Sequence, residues 1–478
     1  RIAMRFDSLE FLIFCLAVFG LERFLARGWA RKLLLLGASY LFYASWNPAF
    51  VLLLIFSTLL DFQVGAWLGQ AQRHRRKILL LSLVGNLGVL VFFKYGGLFP
   101  DLANLMPQLD LQTAFPRRDD LIIPIGISFY TFQTMSYSLD IYRGTLRPTR
   151  DLGDFALFVA FFPQLVAGPI ERAGRLLKAL ERPRKFNPDR LRSGLFLMLW
   201  GFFKKLVIAD NLAAISNKAL SLEDPSFPIV WGGVFAFCIQ IYADFSAYTD
   251  IARGTARTLG IDICRNFNHP YLARNPVAFW SRWHISLSTW FRDYVYIPLG
   301  GNRCSEPRIL MNIMCTFLLS GLWHGANWNF IIWGAYHGIL LVAWRLISKD
   351  RPGIENPSSR SGRLGQWFIM FLLINIGWLI FREQNPAYLW QFITSSPIGV
   401  NIDEWRIGGY FFAFSAILAL PLALHCWTDQ WCTGDEHWEP RQQKWKWVFA
   451  QSTLAGILLI AILLLKSESS TEFIYFQF

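Results

Sequence analysis

Charge is scarce in this 478-residue chain: Asp, Glu, Lys and Arg together supply 17% of it, against about 25% in an ordinary soluble domain. The deficit excludes a conventional water-soluble globule and points to a chain whose solvent is largely lipid. Seven cysteines (Cys15, Cys238, Cys264, Cys304, Cys315, Cys426 and Cys432) form no CxxC and no paired framework, so they are expected to be small buried hydrophobes and not staples or ligands. A zinc centre needs three or four converging ligands, and no close His/Cys/Asp spacing supplies them, so no metal is expected. Neither GxSxG nor a Walker loop occurs, which leaves α/β-hydrolase and nucleotide-hydrolysis functions without an anchor. An inverted repeat is also missing, which weighs against a secondary transporter without removing it as the alternative.

What is present is apolar: 54% hydrophobic and 17% aromatic residues. Runs long enough to approach the roughly 20 residues of a bilayer crossing include Phe11 to Leu25, Val51 to Leu68, Ile78 to Phe93 and Phe227 to Ala243. Phe368 to Phe381, Phe411 to Leu424 and Trp447 to Leu465 continue the series. The first run has no small-residue cleavage site and proceeds into Glu22-Arg23-Phe24, so it is expected to be a retained span. The net charge of +13 is expected to reflect basic residues held in cytoplasmic loops, not a nucleic-acid partner.

Charge placement then orients the chain. Arg27, Arg31 and Lys32, and later Arg73, Arg75, Arg76 and Lys77, mark cytoplasmic loops, with the uncharged Trp46-Asn47-Pro48 turn between them on the other side. Arg143 to Arg150 and the basic stretch Glu171 to Arg192 are both cytoplasmic on this scheme, so the apolar segment Phe155 to Ile170 must enter and leave on one face. Its Phe162-Pro163-Gln164 and Gly168-Pro169 break a helix, as a re-entrant segment lining an internal cavity requires. Asn266 to Arg303 is a second broken region, too polar for lipid yet rich in Trp and Tyr. Arg345 to Arg363 mark one more cytoplasmic loop. Extending the count predicts about twelve crossings with both termini periplasmic.

Ionisable residues inside apolar runs mark function by default. Asp244 and Asp250, with Tyr248 between them, either orient a catalytic group or pair with Arg253 and Arg257. His284 follows Trp280 and Trp283, and His324 follows Trp323 inside an apolar stretch flanked by Gly321 and Gly325, with Asn327 just beyond. Glycines admit a ligand close to the backbone, and a neutral imidazole can take a proton from a hydroxyl.

A set of motifs carries a resemblance. They are Pro124 to Gln133, Phe161 to Ile170, Asp244 to Tyr248, Arg265-Asn266-Phe267-Asn268 and Pro270 to Pro276. Trp283 to Trp290, Arg292-Asp293-Tyr294, Tyr296 to Arg303 and Leu319 to Gly325 complete it. Together they resemble the membrane-bound O-acyltransferase family, in its alginate O-acetyltransferase branch. The resemblance implies an all-α polytopic membrane protein, a single membrane domain over 1–478 with a catalytic core at about 120–345. It also implies a ring of helices with re-entrant segments around a central tunnel. It makes His324 the catalytic histidine and His284 the second tunnel histidine. Gln164, Asp244, Tyr248, Asp250, Trp280, Trp283, Trp290, Arg292, Asp293, Trp323 and Asn327 become the expected tunnel or donor-binding residues.

The resemblance further implies a cytoplasmic thioester donor, acetyl-CoA or an acyl-carrier protein, with no permanently bound cofactor. A periplasmic partner of the SGNH-hydrolase type would carry the acetyl group to a polysaccharide. Members of this branch acetylate alginate, cellulose or peptidoglycan, and a related D-alanyl transferase uses a carrier-protein thioester. The tail 466–478 is expected to be periplasmic. Its Phe473, Ile474, Phe476 and Phe478 would dock, as an interfacial anchor or to offer Tyr475 as an acyl-relay nucleophile, since a phenol with a pKa near 10 is more easily deprotonated than an aliphatic hydroxyl.

Overall fold

The computed structural model describes residues 4–25, 28–96, 123–166, 168–182, 186–349, 351, 359–432, 445–468 and 471–474. Among the described residues there are helices and turns and no strand, as expected for a chain that must satisfy its backbone inside lipid. Seven helices are long and apolar enough to cross a membrane: Pro48–Gln70, Arg75–Tyr95, Phe227–Thr258, Trp328–Lys349, Arg360–Arg382, Ile402–Cys426 and Val448–Leu465. The chain is a multi-pass membrane protein. It divides into two compact units, residues 1–195 with 252–264, and residues 196–251 with 265–478.

The first unit begins with α1 (Leu9–Phe24), α2 (Gly28–Ala44), α3 (Pro48–Gln70), α4 (Arg75–Tyr95) and α5 (Ile127–Tyr142). The Trp46-Asn47-Pro48 turn leads into α3: the Asn47 side chain accepts from Ala49 N at 3.0 Å and Pro48 opens the helix, where its missing N–H costs nothing. Helices α3, α4 and α5 are joined by polar side chains. The Asp61 carboxylate, fully buried on α3, accepts from Ser82 Oγ and Asn86 Nδ2, both at 2.6 Å, and from Ser138 Oγ at 2.5 Å. In an apolar surround such bonds hold helices together because the alternative is an unsatisfied group.

The expected break in Phe155 to Ile170 is present. Helix α6 (Leu152–Ala160) stops at Phe161, whose ψ of 103° is not helical, and α7 (Phe162–Leu165) restarts at once with Pro163 in its first turn. A helix end leaves carbonyls without partners. Here the Phe158 carbonyl accepts from Gln133 Nε2 at 2.6 Å and from Gln164 Nε2 at 3.0 Å. Ser39 Oγ accepts from Phe162 N at 3.1 Å, so the restart is also bonded. The opposite end of α6 is capped by Asp151, and Lys32 bridges Asp151 and Asp154 at 2.8 and 2.6 Å. Beyond lie α8 (Ala173–Glu181) and the start of α9 (Pro188–Phe203).

The second unit takes the end of α9, which winds into a π-helical segment, Lys204–Ala209, and then α10 (Asp210–Leu220). Helix α11 (Phe227–Thr258) follows. The apolar run Phe227 to Ala243 opens α11, which continues unbroken to a total of 32 residues and carries Asp244 and Asp250 as well. The helix continues because both carboxylates have cationic partners. After a broken stretch come α12 (Pro276–Trp280), α13 (Ile285–Phe291) and a second π-helical turn, Arg292–Tyr296. Helices α14 (Glu306–His324) and α15 (Trp328–Lys349) form a tight pair, followed by α16 (Arg360–Arg382), α17 (Pro386–Thr394), α18 (Ile402–Cys432) and α19 (Trp445–Leu465). Glycine sets the α14–α15 approach: a Cβ at Gly334 would lie 2.5 Å from the Phe317 carbonyl, a spacing only a small residue permits.

Candidate functional site

The second unit gathers the histidines. His324 is the last residue of α14, and Gly325 leaves the helix in extended backbone. Its buried ring meets Trp323 at 5.0 Å, Trp333 at 5.0 Å and Phe381 at 5.1 Å edge-on, with Phe330 nearly parallel at 6.2 Å. An imidazole walled in this way sits in a low dielectric, where any hydrogen bond it makes is strengthened.

His284 caps the start of α13 with φ 42°, a left-handed conformation uncommon outside glycine. Asn266 holds it there. The Asn266 oxygen Oδ1 receives Ser286 N at 3.2 Å, Ser286 Oγ at 3.0 Å and His284 Nδ1 at 3.1 Å, while its backbone carbonyl accepts from Ile285 N at 2.9 Å. A backbone N–H can only donate, so the atom facing Ser286 N is the amide oxygen. That assignment makes His284 Nδ1 the donor of its pair and leaves Nε2 with the lone pair. The ring sits edge-on to Phe245 at 4.7 Å and 6.2 Å from Trp323. Trp323 thus touches both expected histidines.

A third histidine was missed. His337 on α15 is buried between Trp280 at 5.0 Å and Trp333 at 4.9 Å, with Phe279 parallel to it at 6.2 Å. Through Trp323 and Trp333 the three imidazoles form one aromatic-linked series. The signal was available: Trp333-Gly334-Ala335-Tyr336-His337-Gly338 places an ionisable ring beside small and aromatic residues in an apolar run, the pattern that singled out His324.

Lysines partner the acidic cluster, and the expected Arg257 pairs instead with Asp262 at 3.1 Å. Lys204 Nζ lies 2.8 Å from Asp250 Oδ2 and 2.8 Å from Ser246 Oγ. Lys205, fully buried, bridges Asp210 at 2.9 Å and Asp244 at 3.0 Å. Two carboxylates around one ammonium need further donors, and the tail supplies them. Thr471 Oγ1 donates to Asp210 Oδ1 at 2.6 Å, Ile474 N donates to Asp244 Oδ2 at 2.8 Å, and Lys205 Nζ donates to the Thr471 carbonyl at 2.8 Å. Phe473 then lies 4.1 Å from the Tyr248 ring and 5.6 Å from Phe245, the ring that also borders His284. The tail therefore docks through Phe473 and Ile474; Tyr475 lies outside the described residues. Both lysines project from the π-helical segment, a distortion frequent at functional sites.

The remaining expected residues divide. Trp280 packs on Phe317, Trp333 and His337, and Trp283 on Tyr242, Phe267, Phe279 and Trp378, so both belong to the aromatic wall. Trp290 packs on Phe291 and Tyr294. Arg292 and Asp293 pair with each other at 2.8 Å on a partly exposed turn. Asn327 turns the chain between α14 and α15, its carbonyl accepting from Phe330 N at 3.2 Å. Gln164, in the first unit, bonds the broken helix end described above.

Residues 147–381 match the family model described as MBOAT, membrane-bound O-acyltransferase family. A Pseudomonas aeruginosa protein named "Probable alginate O-acetylase AlgI" is 41% identical over 396 residues, covering 81% of this chain and 74% of that protein. This chain belongs to the membrane-bound O-acyltransferase family. A Pseudomonas putida protein of the same name is 36% identical across 99% of this chain and 100% of its own length. A Helicobacter pylori peptidoglycan O-acetyltransferase is 32% identical across 99% of this chain and 97% of its own. The chain is an O-acyltransferase.

Asn266 is expected to act on the reaction through His284. Replacing it by alanine frees the ring to rotate and change tautomer, and misplacement of this kind costs about 10²-fold in rate. Asn266→Asp, which keeps the oxygen facing Ser286 N, is expected to recover most of the loss in a steady-state acyl-transfer assay.

Proposed function

We propose that this chain is an O-acetyltransferase of a bacterial inner membrane that passes acetyl groups from a cytoplasmic thioester, acetyl-CoA, towards O-acetylation of an envelope polysaccharide such as alginate. The observation that carries the proposal is the buried series His284–Trp323–His324 with the docked tail on its flank. The names of the Pseudomonas relatives support alginate as the polymer. In this mechanism His324 takes the proton of the acceptor hydroxyl as its oxygen attacks the thioester carbonyl carbon. The tetrahedral intermediate collapses, the C–S bond breaks, and the leaving thiolate takes the proton from the imidazolium. His284 presents an Nε2 lone pair, which suits accepting a hydrogen bond from the acceptor hydroxyl or a donor amide. It suits positioning better than oxyanion stabilisation, which requires a donor.

On this proposal about twelve helices ring a tunnel through the membrane, both termini face the periplasm, and an SGNH-hydrolase-type partner receives the group there. Tyr475 would be the first acceptor, a reading supported by the docking of Phe473 against Phe245, the ring that also borders His284. Tyr475→Phe is expected to abolish transfer to the partner while leaving the tail docked, and unchanged polymer acetylation would leave the tail as an anchor only. The proposal as a whole is tested with labelled acetyl-CoA on the purified protein, with and without the partner. Covalent label on protein or partner is expected. Unmodified acetyl passing the membrane with no covalent label would make the chain a transporter.

A further inference from the structure

Attack on a thioester turns its carbonyl oxygen into an oxyanion, which in a low dielectric needs a hydrogen-bond donor already aimed at it. In the mechanism above His324 is the base and His284 presents a lone pair at Nε2, so the donor must come from elsewhere. The end of α14 is a poor source, because a helix C-terminus presents carbonyls and the negative end of its dipole.

Trp333, in the second turn of α15, carries a donor in the right place. Its side chain is 1% exposed, and its Nε1 has no acceptor among the described residues. An indole N–H can only donate, and a buried one ordinarily finds a partner. A buried polar group left without one calls for a reason, and a catalytic role is among the few that serve. The Trp333 ring stands nearly perpendicular to the His324 ring, at 82°, with centroids 5.0 Å apart. A group reacting at the imidazole sits about 3 Å from a ring nitrogen, and its oxyanion needs a donor at about 2.7–3.1 Å. A ring already in contact with the base is close enough to supply it.

The indole is also held firmly. Its neighbour Gly334 sets the close approach of α15 to α14, which ends in His324. Asn329 Nδ2 donates to the Phe381 carbonyl at 2.8 Å, tying the start of α15 to the end of α16, and the Phe381 ring meets both Trp333 at 5.5 Å and His324 at 5.1 Å. Trp280 Nε1 likewise has no acceptor among the described residues, but its ring meets Phe279, Phe317, Trp333 and His337.

We propose that Trp333 is a catalytic residue, whose indole N–H donates a hydrogen bond to the oxyanion of the tetrahedral intermediate. The inference rests on the thioester transfer proposed above. As the acceptor oxygen bonds to the carbonyl carbon, the carbonyl π pair moves onto the oxygen facing Trp333 Nε1. The indole keeps its proton. When the pair returns, the C–S bond breaks and the thiolate leaves with the proton from the His324 imidazolium.

The test is steady-state transfer from labelled acetyl-CoA by the full chain, reconstituted with the proposed partner as acceptor. Trp333→β-(3-benzothienyl)alanine keeps the bicyclic ring and replaces the N–H by sulfur. Trp231→Phe removes another indole N–H with no acceptor among the described residues, on a ring that packs against Phe227 at 6.3 Å. The position-333 variant is expected to lose about 10²–10³-fold in kcat, with the KM for acetyl-CoA little changed and the pH–rate limb of the His324 base retained. Trp231→Phe is expected to match wild type. A wild-type kcat at position 333, a loss confined to KM, or an equal loss in Trp231→Phe overturns the inference. If the benzothienyl protein is not monodisperse, Trp333→Phe is read against the same outcomes. No transfer by wild type from any thioester would remove the proposed function and this inference with it, whereas an unchanged kcat at position 333 removes the inference alone.

Discussion

Replacing His324 by glutamine is expected to lower the rate of acyl transfer about 10²–10⁴-fold while the protein remains inserted and folded. Glutamine keeps a polar side chain of moderate size in the space between Trp323, Trp333, Phe330 and Phe381, so the aromatic wall stands while the base is gone. Alanine would confound the measurement, because emptying a site bounded by four rings also opens a cavity. The loss should fall on kcat and not on donor binding, since a base acts only as the hydroxyl proton begins to leave. The residual activity should lose the limb of the pH–rate profile that reports protonation of the base. His337→Gln provides the contrast. His337 shares Trp333 with His324 but lies one ring further along the series, so its removal is expected to cost less. A His324→Gln protein that transfers acyl groups at the wild-type rate would remove the base from the mechanism.

The second large effect is on stability. Lys205→Met is expected to destabilise the protein by about 3–5 kcal/mol, the usual result of leaving buried charge without its partner. The ammonium lies within 3.0 Å of both Asp210 and Asp244 and of the Thr471 carbonyl, so methionine leaves two carboxylates facing each other across an apolar gap. The tail should loosen with them, because three of its bonds end on this cluster. Thermal unfolding in detergent and protease cleavage after residue 466 would register the two effects separately. Adding Asp210→Asn and Asp244→Asn to Lys205→Met should restore much of the stability, since neutral amides still accept the Thr471 and Ile474 hydrogen bonds. Wild-type stability in Lys205→Met would show that the carboxylates carry no charge that needs compensation.

The parts of this molecule legible in the sequence are those where local chemistry decides the outcome. Pro163 with Gly168-Pro169 was expected to break the apolar segment Phe155 to Ile170, and the helix does break at Phe161. His324 stood out because an imidazole interrupts an apolar run there, between glycines that admit a ligand close to the backbone. What escaped depended on partners distant in sequence. Lys204-Lys205 resembles the basic end of a span, and only the return of residues 471–474 reveals a buried cluster. Arg257 looked like a natural partner of the acidic cluster because it is near in sequence, but it pairs with Asp262, and a π-helical segment well upstream presents two lysines to Asp244 and Asp250. The left-handed backbone at His284 was equally hidden, since Asn266 and Ser286 impose it from either side.

The most direct measurement of the central claim is vectorial transfer. The protein is reconstituted in liposomes with the proposed SGNH-hydrolase-type partner and a polysaccharide acceptor enclosed, and acetyl-labelled coenzyme A is supplied only outside. The account predicts that label appears inside as an ester on the acceptor while the coenzyme stays outside as free thiol, in amounts matching the ester formed. Labelled coenzyme recovered intact inside, or free acetate inside with no ester, would contradict it.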